Sequence, residues 1–135
     1  MPLKPPADAR AVPIEVLNDF QVLEVLYEAE APIVFTASAG LGQLLLAYLA
    51  ESDASGDWLV LAPTSSSGVR QLGAGQISVR EALTSSWLWL ARRLPSGEVE
   101  RAWVVETKDV PDSHLPAPGT PLRPEQDPLD RKSVV

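Results

Sequence analysis

Apolar and polar positions through the first half of the chain follow a period of two, or merge into short fully apolar runs. That period puts successive side chains on opposite faces of an extended backbone, so each run predicts a β-strand. Residues 21–27 carry the first pattern, and the acidic, proline-containing stretch at 28–32 ends it. Residues 33–37, rich in β-branched and aromatic side chains, follow, and glycines at 40 and 42 turn the chain. Residues 44–50 and 58–62 make a third and fourth strand around the polar loop at 51–57. Four strands joined by short loops predict an antiparallel meander, because parallel pairing needs a crossover of a dozen or more residues.

After Ala62 the pattern changes. Val69, Leu72, Ile77, Val79 and Leu83 fall among turn residues at helical spacing, which predicts a short helix over 66–72 and a second over Val79–Thr84. Ser78 and Glu81 have capping-box spacing: the hydroxyl can accept the Glu81 N–H while the carboxylate accepts the Ser78 N–H. Ser66 or Thr64 is the expected cap of the first helix, whose opening N–H groups lack intrahelical partners. Residues 87–94 and 99–105 then pair as a hairpin across Pro95-Ser96-Gly97-Glu98. The expected fold is α+β: about six antiparallel strands, a meander plus a C-terminal hairpin, with two short helices inserted after the fourth strand.

Composition sets the outer limits. The 135 residues suit one domain, 45% of them are hydrophobic, and no apolar run approaches the ~20 residues of a membrane span. Proline density divides the chain into an extended N-terminal segment over 1–14, a single α+β domain over 15–109 and an extended tail over 110–135. Val110, Leu115 and Leu122 could anchor that tail on the domain. With no cysteine there is no disulfide framework and no thiolate chemistry. The N-terminus lacks an apolar signal region, and a cytoplasmic location is expected.

Charge adds a direction. The net charge of −7 argues against binding nucleic acid through its phosphates. There is no Lys or Arg between Arg10 and Arg70, a stretch that holds Glu15, Asp19, Glu24, Glu28, Glu30, Glu51, Asp53 and Asp57. Such a face is either plain solvated surface or a recognition surface for a basic partner.

The residues at 23–28, 32–37, 46–49 and 72–83, with the strand at Trp87, resemble a small bacterial domain family of unknown function with the pattern vlevyeyydgPrlFta…yLa…aGeislReal. The resemblance covers roughly residues 21–105. It implies the same fold reading and carries over no catalytic residues.

Candidate chemistry is sparse. The stretch APTSSSGVRQLGAG after the fourth strand has the strand, turn, helix order of a phosphate cradle, but no lysine and no Gly-x-Ser-x-Gly elbow. An anion held by Ser66, Ser67 and Arg70 is the alternative to simple capping. The single histidine, His114, lies in the tail, out of any spacing that suggests a triad. Asp53-Ala54-Ser55-Gly56-Asp57 lacks the further ligands of a calcium loop and reads as hairpin-turn chemistry. No catalytic set, metal site or cofactor is expected. Trp87 and Trp89 share one strand face at spacing two, and if Trp89 faces Trp103 across the hairpin the pair supplies cross-strand packing. Buried, these indoles are core; exposed with Arg92 and Arg93, they form a patch of the residue types that dominate interfaces. The expectation is a non-catalytic accessory domain that docks another protein through this patch or through the acidic face at Glu28 and Glu30. An exposed edge strand would also permit a homodimer.

Overall fold

The computed structural model describes residues 9–119, apart from residues 30, 41, 85–86, 112–113 and 117–118. Its elements are β1 (Arg10–Ala11), α1 (Ile14–Leu17), β2 (Gln21–Ala29), β3 (Ala31–Ala39), β4 (Gln43–Asp53), β5 (Gly56–Pro63), α2 (Ser66–Gly73), α3 (Val79–Thr84), β6 (Leu88–Arg93) and β7 (Val99–Val105). A 3-10 turn follows at Thr107–Asp109. The strands form one antiparallel sheet in the order β1-β7-β6-β5-β4-β3-β2. The sheet therefore has seven strands, not six. The added one is β1, two residues that pair Arg10 with Val104 and Ala11 with Trp103. A two-residue strand is too short to show any period in sequence.

Alternation divides the sheet into two apolar faces. One carries Val34, Leu46, Val60, Ala62, Leu88, Leu90 and Val105, and α2 and α3 cover it with Leu72, Val79 and Leu83. Val110 and Leu115 complete this layer, so the chain after β7 lies along the sheet at these two anchors; Leu122 lies outside the described residues. Beyond them Arg80 Nη1 donates to the Pro116 carbonyl (3.2 Å), and His114 Nε2 lies 3.1 Å from Glu51 Oε2.

The opposite face carries Phe35, Ala39, Leu45, Ala47, Leu59, Leu61, Ala91 and Ala102, packed by Val12 and Leu17 from the chain around α1. A helix of four residues is a small cover for a seven-stranded sheet, and the geometry shows how the face is closed. Phe35 on β3 is level with Trp89 on β6 through Ala47 and Leu61, so Arg93 lies three strands across and four residues along from it, ~20 Å on a flat sheet. Yet the guanidinium carbon sits 5.4 Å from the centroid of the Phe35 ring. The sheet curls toward this side, and its small residues leave room for the curl, as in the tapered interiors of small barrels.

The β4–β5 hairpin is held by its own side chains. Asp53 Oδ1 accepts the Ser55 N–H (2.8 Å) and hydroxyl (2.6 Å), a side-chain turn that replaces a backbone one. Gly56 follows at φ +134, where an added Cβ would collide with the Arg93 carbonyl oxygen.

Candidate functional site

The α2 N-terminus is built from a serine run, and the structure selects one member. Ser65, not Ser66 or Thr64, is the cap: extended at φ −141 and ψ 168, it accepts the Gly68 N–H on its hydroxyl at 3.1 Å. Ser66 and Ser67 are exposed in the first turn, and Arg70 is exposed one turn later. Gly68 serves the turn itself, because a Cβ there would come within 2.8 Å of the Thr64 hydroxyl. Beside this turn lies an open groove of about 510 Å³, lined by residues that include Thr64, Ser65, Gly68, Ile77 and Glu81. The capping box of α3 fixes the Glu81 carboxylate there: Glu81 Oε1 accepts the Ser78 N–H (2.9 Å) and the Ser78 hydroxyl accepts the Glu81 N–H (3.1 Å). The bonds with Ser78 hold the Glu81 carboxyl below its ordinary range, so it is ionised at neutral pH. An anion entering this groove would meet a like charge.

The Trp and Arg residues of β6 and its flank do not form one patch. Trp89 opposes Val104, and Leu90 opposes Trp103, so Trp89 and Trp103 lie on opposite faces rather than facing each other. The four indoles form two pairs instead. Trp87 and Trp89 are 5.4 Å apart toward the curled face, and Trp58 and Trp103 are 5.9 Å apart on the other. Arg92 and Arg93 also point to opposite faces, at the far end of the strand from Trp87. Arg92 stacks over Trp58 at 5.3 Å, donates to the Ser55 hydroxyl and lies 3.9 Å from Asp53. Arg93 gives two hydrogen bonds to Asp57 Oδ2, at 3.0 and 2.9 Å, with side chains only 16% and 20% exposed. Both guanidinium groups are thus committed within the fold. The Asp53 carboxyl is held below its ordinary range, first by the Ser55 hydroxyl and N–H, with Arg92 adding to the effect.

The acidic face divides as well. Glu28 is exposed on β2, four strands from β6; Glu30 lies outside the described residues. Glu51 meets His114, and Asp53 and Asp57 meet the arginines. Around Glu28 the structure places apolar residues that the period-two reading did not single out. Val22, Leu23 and Val25 on β2 are 43%, 51% and 42% exposed; away from them, just before β6, Trp87 is 40% exposed. Their signal was the doubling in Val22-Leu23-Glu24-Val25-Leu26, where strict alternation fails. Register shifts between Val22 and Glu24 and between Val25 and Tyr27 fall at those doublings. Each extra residue is a bulge that re-aims its neighbours.

Among the described residues no cluster of three or more His, Asp or Glu is placed to hold a metal ion, and no helix is long and apolar enough to cross a membrane. Comparison of the chain with protein-family models, curated proteins and solved structures finds no match.

Proposed function

We propose that this chain is a protein-docking domain that meets its partner through exposed apolar surface at the rim of the sheet. The observation that carries this reading is the triplet Val22, Leu23 and Val25, exposed on a terminal strand beside Glu24 and Glu28. Large apolar side chains grouped on a sheet edge invite association, and natural edges are usually blunted by charge or by brevity. Trp87 offers a second contact point of a residue type that anchors interfaces. Of the hairpin, the arginines contribute structure rather than contact, since Asp57, Asp53 and Ser55 already engage them. The alternative, an anion held by Ser66, Ser67 and Arg70, has less support because the ionised Glu81 lines the adjoining groove.

Photocrosslinking residues introduced at Leu23, at Trp87 and, as a control, at the exposed Gln76 test the reading in the cells that produce the protein. The expected result is a heavier adduct from Leu23 or Trp87 and none from Gln76. Absence of adducts at both docking positions would remove the proposal.

A further inference from the structure

We infer that the chain's own proline-rich segment 118–124 packs on the Trp87–Trp89 pair and so competes with the docking partner for that end of the sheet. The inference rests on the docking reading above and adds its regulation.

The aromatic side chains are unevenly enclosed. Of those among the described residues Trp87 alone is exposed, at 40%. Its ring centroid lies 5.4 Å from that of Trp89 and the two planes tilt by 32°, so the indoles make a bent apolar floor. The other pair is taken: Trp58 and Trp103 are half-buried, and the Arg92 guanidinium lies over Trp58. Aromatic floors of this kind receive proline-rich segments, because a polyproline II helix is already extended before it binds and loses little freedom.

The occupant follows from what the chain carries beyond Pro116. Proline recurs at 118, 121 and 124. A polyproline II helix has three residues per turn, so these prolines share one face, with Leu122 and Arg123 on the other two. Pro128 falls off that face.

Reach is sufficient. Arg80 Nη1 holds the Pro116 carbonyl at 3.2 Å, and Thr84 Oγ1, one turn along α3, donates to the Arg80 carbonyl. Trp87 follows Thr84 by three residues, which puts its backbone at most ~17 Å from that of Arg80. The eight residues from 117 to 124 span ~25 Å as polyproline II, which brings the proline face to the indoles while Pro116 stays in place. So short a tether holds the segment at an effective concentration on the order of millimolar, which a free partner must outcompete. Charge agrees with the placement. Leu88 pairs with Val105, so Glu106 is level with Trp87, and its side chain is 74% exposed. Arg123, the only Lys or Arg between Lys108 and Arg131, supplies the opposite charge.

The chain has no cysteine, so Gln126→Cys gives one attachment point for a nitroxide label in the full chain. The label is expected to broaden away most of the Trp87 indole N–H signal, assigned by its loss in Trp87→Phe, and to spare that of Trp58. Changing Pro118, Pro121 and Pro124 together to alanine is expected to restore the signal, and Pro128→Ala is expected not to. The triple variant is also expected to raise the yield of partner adduct from a photocrosslinking residue at Trp87 by about threefold or more, because the seat is freed. An undiminished Trp87 signal, equal effects of Pro128→Ala and the triple substitution, or an unchanged adduct yield would overturn the inference. So would broadening that arises only between spin-labelled and isotope-labelled copies, which would give the seat to a second chain. Adducts retained at Trp87 in any of these cases would leave the docking reading standing and reject only the tail as its competitor.

Discussion

The two faces of the sheet solve one problem by different means. The face under α2 and α3 is buried because other elements are laid on it, among them Leu72, Val79, Leu83, Val110 and Leu115. The curled face is buried largely by the sheet's own shape, with Phe35, Leu45, Leu59 and Leu61 closed in among alanines. An added layer can settle when it loses a side chain, whereas a face closed by curvature has hydrogen-bonded strands on every side and little room to collapse. Packing of this second kind is expected to be the less forgiving.

The largest expected effect breaks the comparison at its centre. Leu61→Ala on the curled face should cost about 4 kcal/mol, and Leu72→Ala under the added layer nearer ~2–3 kcal/mol, within the usual range for buried leucine truncation. Urea unfolding of both variants decides it; equal losses would mean that the two faces are equally rigid. Gly56→Ala comes next, at about 2–3 kcal/mol, because it adds a clash with the Arg93 carbonyl to a backbone angle that side chains rarely adopt. Asp57→Ala leaves the half-enclosed Arg93 guanidinium without its carboxylate and should cost ~2 kcal/mol, much of it recovered when Arg93 is also changed to Met. A double-mutant cycle measured by chemical denaturation checks that recovery.

Smaller effects sharpen the account of the helical layer. Ser65→Ala and Ser78→Ala should each cost about 1 kcal/mol as lost caps, while Ser66→Ala and Ser67→Ala should stay within ~0.5 kcal/mol. A reversed order in thermal melts would return the cap to Ser66. Glu81 has a pH signature of its own. Its folded pKa is lowered, so its contribution is complete above the carboxylate's unfolded value of ~4.3 and is lost as pH falls through the folded value. The Tm gap between the wild type and Glu81→Ala should therefore hold from pH 7 to about pH 5 and close in more acid solution. A gap that widened on acidification would contradict the capping geometry.

Legibility in the sequence tracked the range of the interactions involved. The antiparallel meander and the Ser78–Glu81 box rest on neighbours within a few residues, and patterns of two and of three-to-four report such neighbours directly. The docking candidates were less readable. Whether Trp89 faces Trp103 depends on which residue of β7 sits opposite which of β6, and one position reverses the face. The arginines looked available because their partners, Asp57 and Asp53, sit on a hairpin nearly forty residues earlier in the chain. Exposure of Val22, Leu23 and Val25 depends on β2 being last in the strand order, which no local pattern states.

By itself, then, the sequence determined the strand-rich α+β character, the turn chemistry of the 53–57 hairpin, and a stretch from 11 to 69 without a single Lys or Arg. Tertiary structure alone decided the seventh strand, the curl that brings Arg93 to Phe35, and the edge that β1 covers. The physical reason is that alternation tells a side chain which face it shares with its own strand neighbours. Curvature, register and strand order are set by the sum of contacts between segments far apart in the chain, and no single segment encodes that sum.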